Sequence, residues 1–183
     1  MKQLVQHYND AYIFTEHKTP GIKLTINCHG QFSLDRRNRA KINNQLCDAR
    51  GIYNIIQNLN INNIYHVHLA ICHSADSFGS SLAAELSRIM RDTYVTGYAG
   101  VVTTGFPQED ANEMFEDFGN GPEFNQDLND HFRVFKRDDP INNTINVYFH
   151  RIKFKNGELY KQYSQIVSLK SIINGEETTY MQL

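Results

Sequence analysis

The sequence predicts an α/β domain with a mostly parallel central sheet. The first observation is alternation. Segments 22–27, 64–71 and 93–104 are short and rich in β-branched or aromatic residues, and segments with helical spacing lie between them. Strand, helix, strand in sequence implies parallel strands joined by right-handed crossovers. The second observation is size: 183 residues, 40% hydrophobic and 21% charged, describe one globular domain over 1–183. The third is the pair Asn156-Gly157 between two alternating runs, which predicts a β-hairpin within 144–170.

The elements follow in chain order. "IKLTIN" (22–27) reads as a strand bounded by Pro20-Gly21 and Gly30. Ile52, Ile55, Ile56 and Leu59 recur at helical spacing and predict a helix. "IYHVHLAI" (64–71) is the clearest strand. Phe78, Leu82, Leu86 and Ile89 predict a helix over 77–90 with Ser77 or Asp76 as N-cap. "TYVTGYAGVVTT" (93–104) reads as a strand interrupted at Gly97. Residues 106–130 are acidic and lack a clear period, so the expectation there is a surface insertion with one short helix.

Composition narrows the functional classes. A net charge of −2 provides no overall field for nucleic acid or an anionic membrane. No apolar run reaches the roughly 18 residues of a membrane span. The N-terminal "MKQLVQHYNDAYIF" lacks the pattern of a cleaved secretory signal. Three cysteines, Cys28, Cys47 and Cys72, are too few and of the wrong parity for a disulfide framework.

In parallel α/β sheets, functional groups gather beyond the carboxyl ends of the strands. One predicted strand ends in Asn27-Cys28-His29-Gly30, the next in Ile71-Cys72-His73-Ser74. If the two are neighbours, His29 and Cys72 emerge at one edge, a nucleophile beside a base. Gly30 would contribute an N–H to an oxyanion hole, and the following helix N-terminus would assist the thiolate.

Other readings stay open. His66, His68 and Cys72 share a strand face and, with Cys28 or His29, would make a zinc site, although the spacing lacks paired ligands; no metal is the expectation. "CHSADSFGSS" could hold a phosphate at a helix start, but it lacks the Walker lysine. Two basic sets remain: Arg36, Arg37, Arg39 and Lys41, and on the hairpin Arg151, Lys153, Lys155 and Lys161, with Lys170 near it. Each is either a solvated surface or a polyanion site.

"LTINCHG" and "VHLAICHSA", followed by "SFGSSLAAELSRIM", "TYVTGYAGVV" and "RIKFKNGELYKQYSQIV", resemble the caspase-like cysteine peptidases. The order looks most like the autoprocessing protease domains of large bacterial toxins and related small secreted effectors, over residues 10 to 170. The resemblance implies a caspase-like three-layer sandwich with a hairpin flap, Cys72 as nucleophile, His29 as base, and the N–H groups of Gly30 and Cys72 as oxyanion hole. It further implies activation by inositol hexakisphosphate bound at Arg151, Lys153, Lys155 and Lys161, with Lys23 or Arg37 as further candidates. The expected partner is a protein or peptide substrate, with a host protein as one candidate, and the expected location is the bacterial cytoplasm before export, then a host cell. Because that domain fills nearly the whole chain, the expectation is a free enzyme acting on something else, or one that modifies itself only near its ends. Some such domains carry a third catalytic acid, for which Asp10 and Glu16 are the candidates here. Cys28 before His29, and His73 after Cys72, depart from the family pattern. The competing reading is a non-catalytic α/β effector that binds a host protein or a phosphorylated ligand.

Overall fold

A computed structural model describes residues 1–136, 151–163, 168–173 and 176–181. The elements run β1 (Lys2–Tyr8), β2 (Ala11–Lys18), β3 (Gly21–Cys28), β4 (Gly30–Phe32), β5 (Asn38–Ile42), β6 (Gln45–Cys47), α1 (Ala49–Asn58), β7 (Ile64–Ala70), α2 (Leu82–Ile89), β8 (Tyr94–Tyr98), β9 (Val102–Thr104), α3 (Gln108–Phe118) and α4 (Pro122–His131). They continue with β10 (Val134–Lys136), β11 (Arg151–Lys155), β12 (Glu158–Tyr163), β13 (Ser168–Ile173) and β14 (Glu176–Met181).

Seven strands form the central sheet in the order β1-β2-β3-β7-β8-β11-β12. The expected parallel arrangement holds at its centre, where β3, β7 and β8 run parallel. The flanks are antiparallel: β1 and β2 lead into β3 on one side, and β11 and β12 extend β8 on the other. The sheet is therefore mixed. Its N-terminal hairpin was not among the expected elements, because the polar residues Gln3, Gln6 and His7 dilute the apolar alternation of β1.

Side chains alternate between two cores. One holds Ile13, Leu24, Ile26, Val67, Leu69, Val95 and Phe154 beneath α1 and α2, which contribute Ile52, Ile56, Leu82 and Leu86. The other holds Tyr12, Phe14, Tyr98, Phe106, Phe124 and Leu128 beneath α3 and α4. This is a helix–sheet–helix arrangement. Residues 106–130, expected as an insertion with one short helix, form α3 and α4 and supply Phe106, Phe124 and Leu128, all essentially inaccessible. Fully burying each such side chain is worth about 1.5–3 kcal/mol. The acidic residues obscured this layer because they occupy its solvent side, leaving few apolar positions to mark the period.

Three further boundaries differ from expectation. Helix α2 begins at Leu82, with Ser81 as N-cap accepting from the Ala84 N–H at 3.2 Å; residues 78–80 form a 3₁₀ turn. The 93–104 segment is two strands, β8 and β9, which belong to different sheets. The break falls at Gly100, whose φ of 78° is left-handed, and not at Gly97. The Asn156-Gly157 turn forms as expected, with φ of 53° and 84°, the values a type I′ turn requires. Its tip is anchored, since the Gly157 N–H donates to Ser87 Oγ at 2.8 Å and the Asp92 N–H to Asn156 Oδ1 at 3.0 Å. Within 151–163, the expected flap is part of the main sheet: β11 pairs with β8, and β12 pairs with β11 at the sheet edge. Residues 144–150 and 164–167 of the expected hairpin lie outside the described residues, and 168–170 open a separate pair, β13 with β14.

Candidate active site

The parallel pairing of β3 with β7 matches Asn27 to Ala70. Two residues beyond each lie His29 and Cys72, so the register carries both past the sheet at the same edge. Gly30 tightens this juxtaposition. A Cβ at that position would overlap the Cys72 carbonyl oxygen and come within 3.1 Å of Ile71 Cγ2. Only glycine permits the two backbones to approach so closely. Asn38 holds the same carbonyl from another side, its Nδ2 donating to Cys72 O at 2.9 Å.

Lys41 N–H donates to His29 O at 2.9 Å, which makes Gly30 and Ala40 a non-hydrogen-bonded pair of the β4–β5 ladder. In such a pair the N–H turns away from the partner strand.

His29 and Cys72 line one cavity of ≈ 220 Å³ together with Asn27, Cys28, Ala70, residues of β9 and the start of α3. His29 is exposed and Cys72 partly so. The Cys72 thiol meets the backbone of Val102: Sγ donates to the carbonyl at 3.2 Å and accepts from the N–H at 3.4 Å. Cys28 differs from Cys72 in burial. It is buried, which pushes its thiol well above the usual range, with Asp10 acting in the same direction. Cys47 is raised too, by burial and by Asp48. A thiol held protonated is a poor nucleophile.

The loop carrying Cys72 is braced by residues that pattern reasoning did not select. Asp76 Oδ2 lies 2.7 Å from His73 Nδ1, and Oδ1 accepts the Gly100 N–H at 2.8 Å. The His73 N–H donates to Gly100 O at 2.7 Å. These bonds tie the Cys72 loop to the segment that delivers Val102. Asp76 was legible only as a possible helix cap, and Asn38 was hidden among arginines.

The other candidates separate. Asp10 accepts the N–H groups of Asn43 and Asn44, both at 2.7 Å, and so caps the β5–β6 turn. Glu16 pairs with Lys23 at 3.5 Å and Lys18 at 3.6 Å. Neither lines the cavity. The N–H groups at the start of α2 are used internally, Ala83 N–H by Ser74 O and Ala84 N–H by Ser81 Oγ, so they face neither Cys72 nor an open phosphate cradle. His66 Nε2 is 2.8 Å from Thr96 Oγ1 and His68 Nε2 is 2.7 Å from Tyr98 OH. Among the described residues no group of three His, Cys, Asp or Glu converges as a metal site would require.

Arg151, Lys153 and Lys155 share one face of β11, opposite the buried Ile152 and Phe154. Lys161 is paired directly across from Lys153 and so shares that face. Lys23 lies on the same side of the sheet, and His66 sits among these cations: burial, then Lys23, Lys153 and Arg151, push it down to about 3. Lys155 also lies 3.9 Å from Asp92. The Arg36–Arg39 set is partly neutralised, Arg39 by Asp35 at 3.0 Å and Arg37 by Glu85 at 3.8 Å. The side chain of Lys170 lies outside the described residues. Among the described residues no helix is long and apolar enough to cross a membrane.

No protein-family model matches the chain, and the searches of curated proteins and of solved structures found no significant match.

Proposed function

We propose that the protein is a cysteine endopeptidase using Cys72 and His29, of the kind found in caspase-like bacterial effectors and toxin protease domains. The observation that carries the reading is the contact of Gly30 with the Cys72 carbonyl, which brings the two strand ends to one cavity. In the reaction, Cys72 Sγ attacks the peptide carbonyl carbon. The carbonyl electron pair moves onto oxygen, which the N–H groups of Gly30 and Cys72 receive. His29, holding the thiol proton, delivers it to the leaving amine as the C–N bond breaks. Water then attacks the thioester, losing a proton to His29, and the acid leaves with Cys72 restored.

Alkylation with iodoacetamide tests the assignment. Mass mapping of the native protein is expected to place the first adduct on Cys72, with Cys28 unmodified on the same timescale. His29→Ala is expected to slow that alkylation at neutral pH. Labelling of Cys28 first, at a rate indifferent to His29, would exclude the dyad.

The basic face supports a second part of the proposal, binding of inositol hexakisphosphate at Arg151, Lys153, Lys155 and Lys161, with Lys23 beside them. Six phosphates need several cations at once, and the strand period collects them. The ligand is expected to raise the melting temperature of the wild type, and less so after Lys153→Ala with Lys155→Ala. A melting curve unmoved by the ligand removes this site. If the ligand binds but Cys72 is inert, the polyanion face is itself the function, as in a non-catalytic effector. A role after export, in a host cell, belongs to the same proposal.

A further inference from the structure

The cavity beside Cys72 has a chemistry of its own. At ≈ 220 Å³ it is smaller than the ~300–1,000 Å³ of sites that enclose whole small molecules. That is room for one long side chain. Its apolar lining comes from Ala70, Val102 and Pro107. Its polar lining comes from Asn27, Thr103, Thr104, Gln108 and Glu109 besides His29 and Cys72. Glu109 contributes a carboxylate, and apart from His29 no basic residue lines the cavity. Gln108 also lines the cavity. Its Nε2 donates to Tyr8 O at 3.0 Å and to Asn112 Oδ1 at 2.9 Å, which fixes the amide, and its Oε1 has no hydrogen-bond partner. The surrounding segment 106–130 carries acidic residues and no lysine or arginine.

A neighbouring cavity is unlike this one. It is lined by Arg36, Arg37 and Arg39 but by neither Cys72 nor His29, and two of its guanidiniums already face carboxylates.

We propose that the cavity bordered by Cys72 is the pocket for the residue preceding the scissile bond, and that it selects lysine or arginine through Glu109. The proposal rests on the peptidase reading. The aliphatic stem would lie along Ala70, Val102 and Pro107, with the cationic head at the Glu109 carboxylate.

Peptidyl acyloxymethyl ketones differing only in that residue test it. The Cys72 thiolate displaces the carboxylate from such a reagent and forms a stable thioether, read as a mass shift. Lysine and arginine reagents are expected to label Cys72 at least ten times faster than leucine or aspartate reagents. Rates are referenced in each variant to iodoacetamide, which has no side chain for the cavity. Glu109→Gln is expected to erase most of that preference, and Glu109→Lys to reverse it toward aspartate. A faster leucine or aspartate reagent in the wild type overturns the specificity while leaving the peptidase reading intact. A preference for lysine and arginine that survives both Glu109 variants overturns the role of Glu109. If iodoacetamide modifies Cys72 but no peptidyl reagent does, both readings fall.

Discussion

Cys72→Ala is expected to lower peptide cleavage by about 10⁴- to 10⁶-fold, the scale on which nucleophile removal acts in acyl-transfer enzymes. The thiol has no substitute at the site. Cys28 also lines the cavity, but it is buried and burial pushes its thiol up, while Cys47 does not line it. His29→Ala should cost nearly as much, and the double variant little more than either, because the two groups act as one unit. The measurement is kcat/KM on a fluorogenic peptide library, with circular dichroism to establish that the fold persists. Wild-type turnover by Cys72→Ala would sink the assignment outright. Cys28→Ala, by contrast, trims a buried side chain and is expected to retain activity.

Gly30→Ala is expected to lower both activity and stability. The added Cβ overlaps the Cys72 carbonyl oxygen, a backbone atom that cannot rotate away. Relief requires one strand end to move. Overpacking of this kind costs typically 1–3 kcal/mol. A displacement near 1 Å between base and nucleophile costs about 10²-fold in rate. Urea denaturation and the iodoacetamide rate at Cys72 read the two effects separately. An unchanged midpoint together with wild-type alkylation would mean that this contact does not hold the strand ends together.

Much of the sheet was legible because its strands carry local signals. "IKLTIN" and "IYHVHLAI" are bounded, β-branched and apolar, and they became the parallel pair β3 and β7. Asn156-Gly157 encoded its turn because few other residue pairs adopt two left-handed conformations without strain. The N-terminal hairpin and the α3–α4 layer were missed for a common reason. In β1, α3 and α4 the buried residues are few and separated by polar ones, so burial depends on what the rest of the chain lays over them. Phe124 and Leu128 become core only against Tyr12 and Phe14, more than a hundred residues away in sequence.

The same division runs through the site. The sequence by itself determined which groups could react: a cysteine and a histidine-glycine pair, each at the carboxyl end of a strand, and an alternation that puts three cations on one strand face. Tertiary structure alone decided that the two strand ends touch, that Cys28 is buried while Cys72 is partly exposed at the same cavity, and that Val102 and Asn38 contact Cys72 while Asp76 braces its loop. Side-chain type and period are local properties, written into neighbouring residues. Burial, cavity shape and the approach of one backbone to another depend on distant segments meeting, and no local pattern records them.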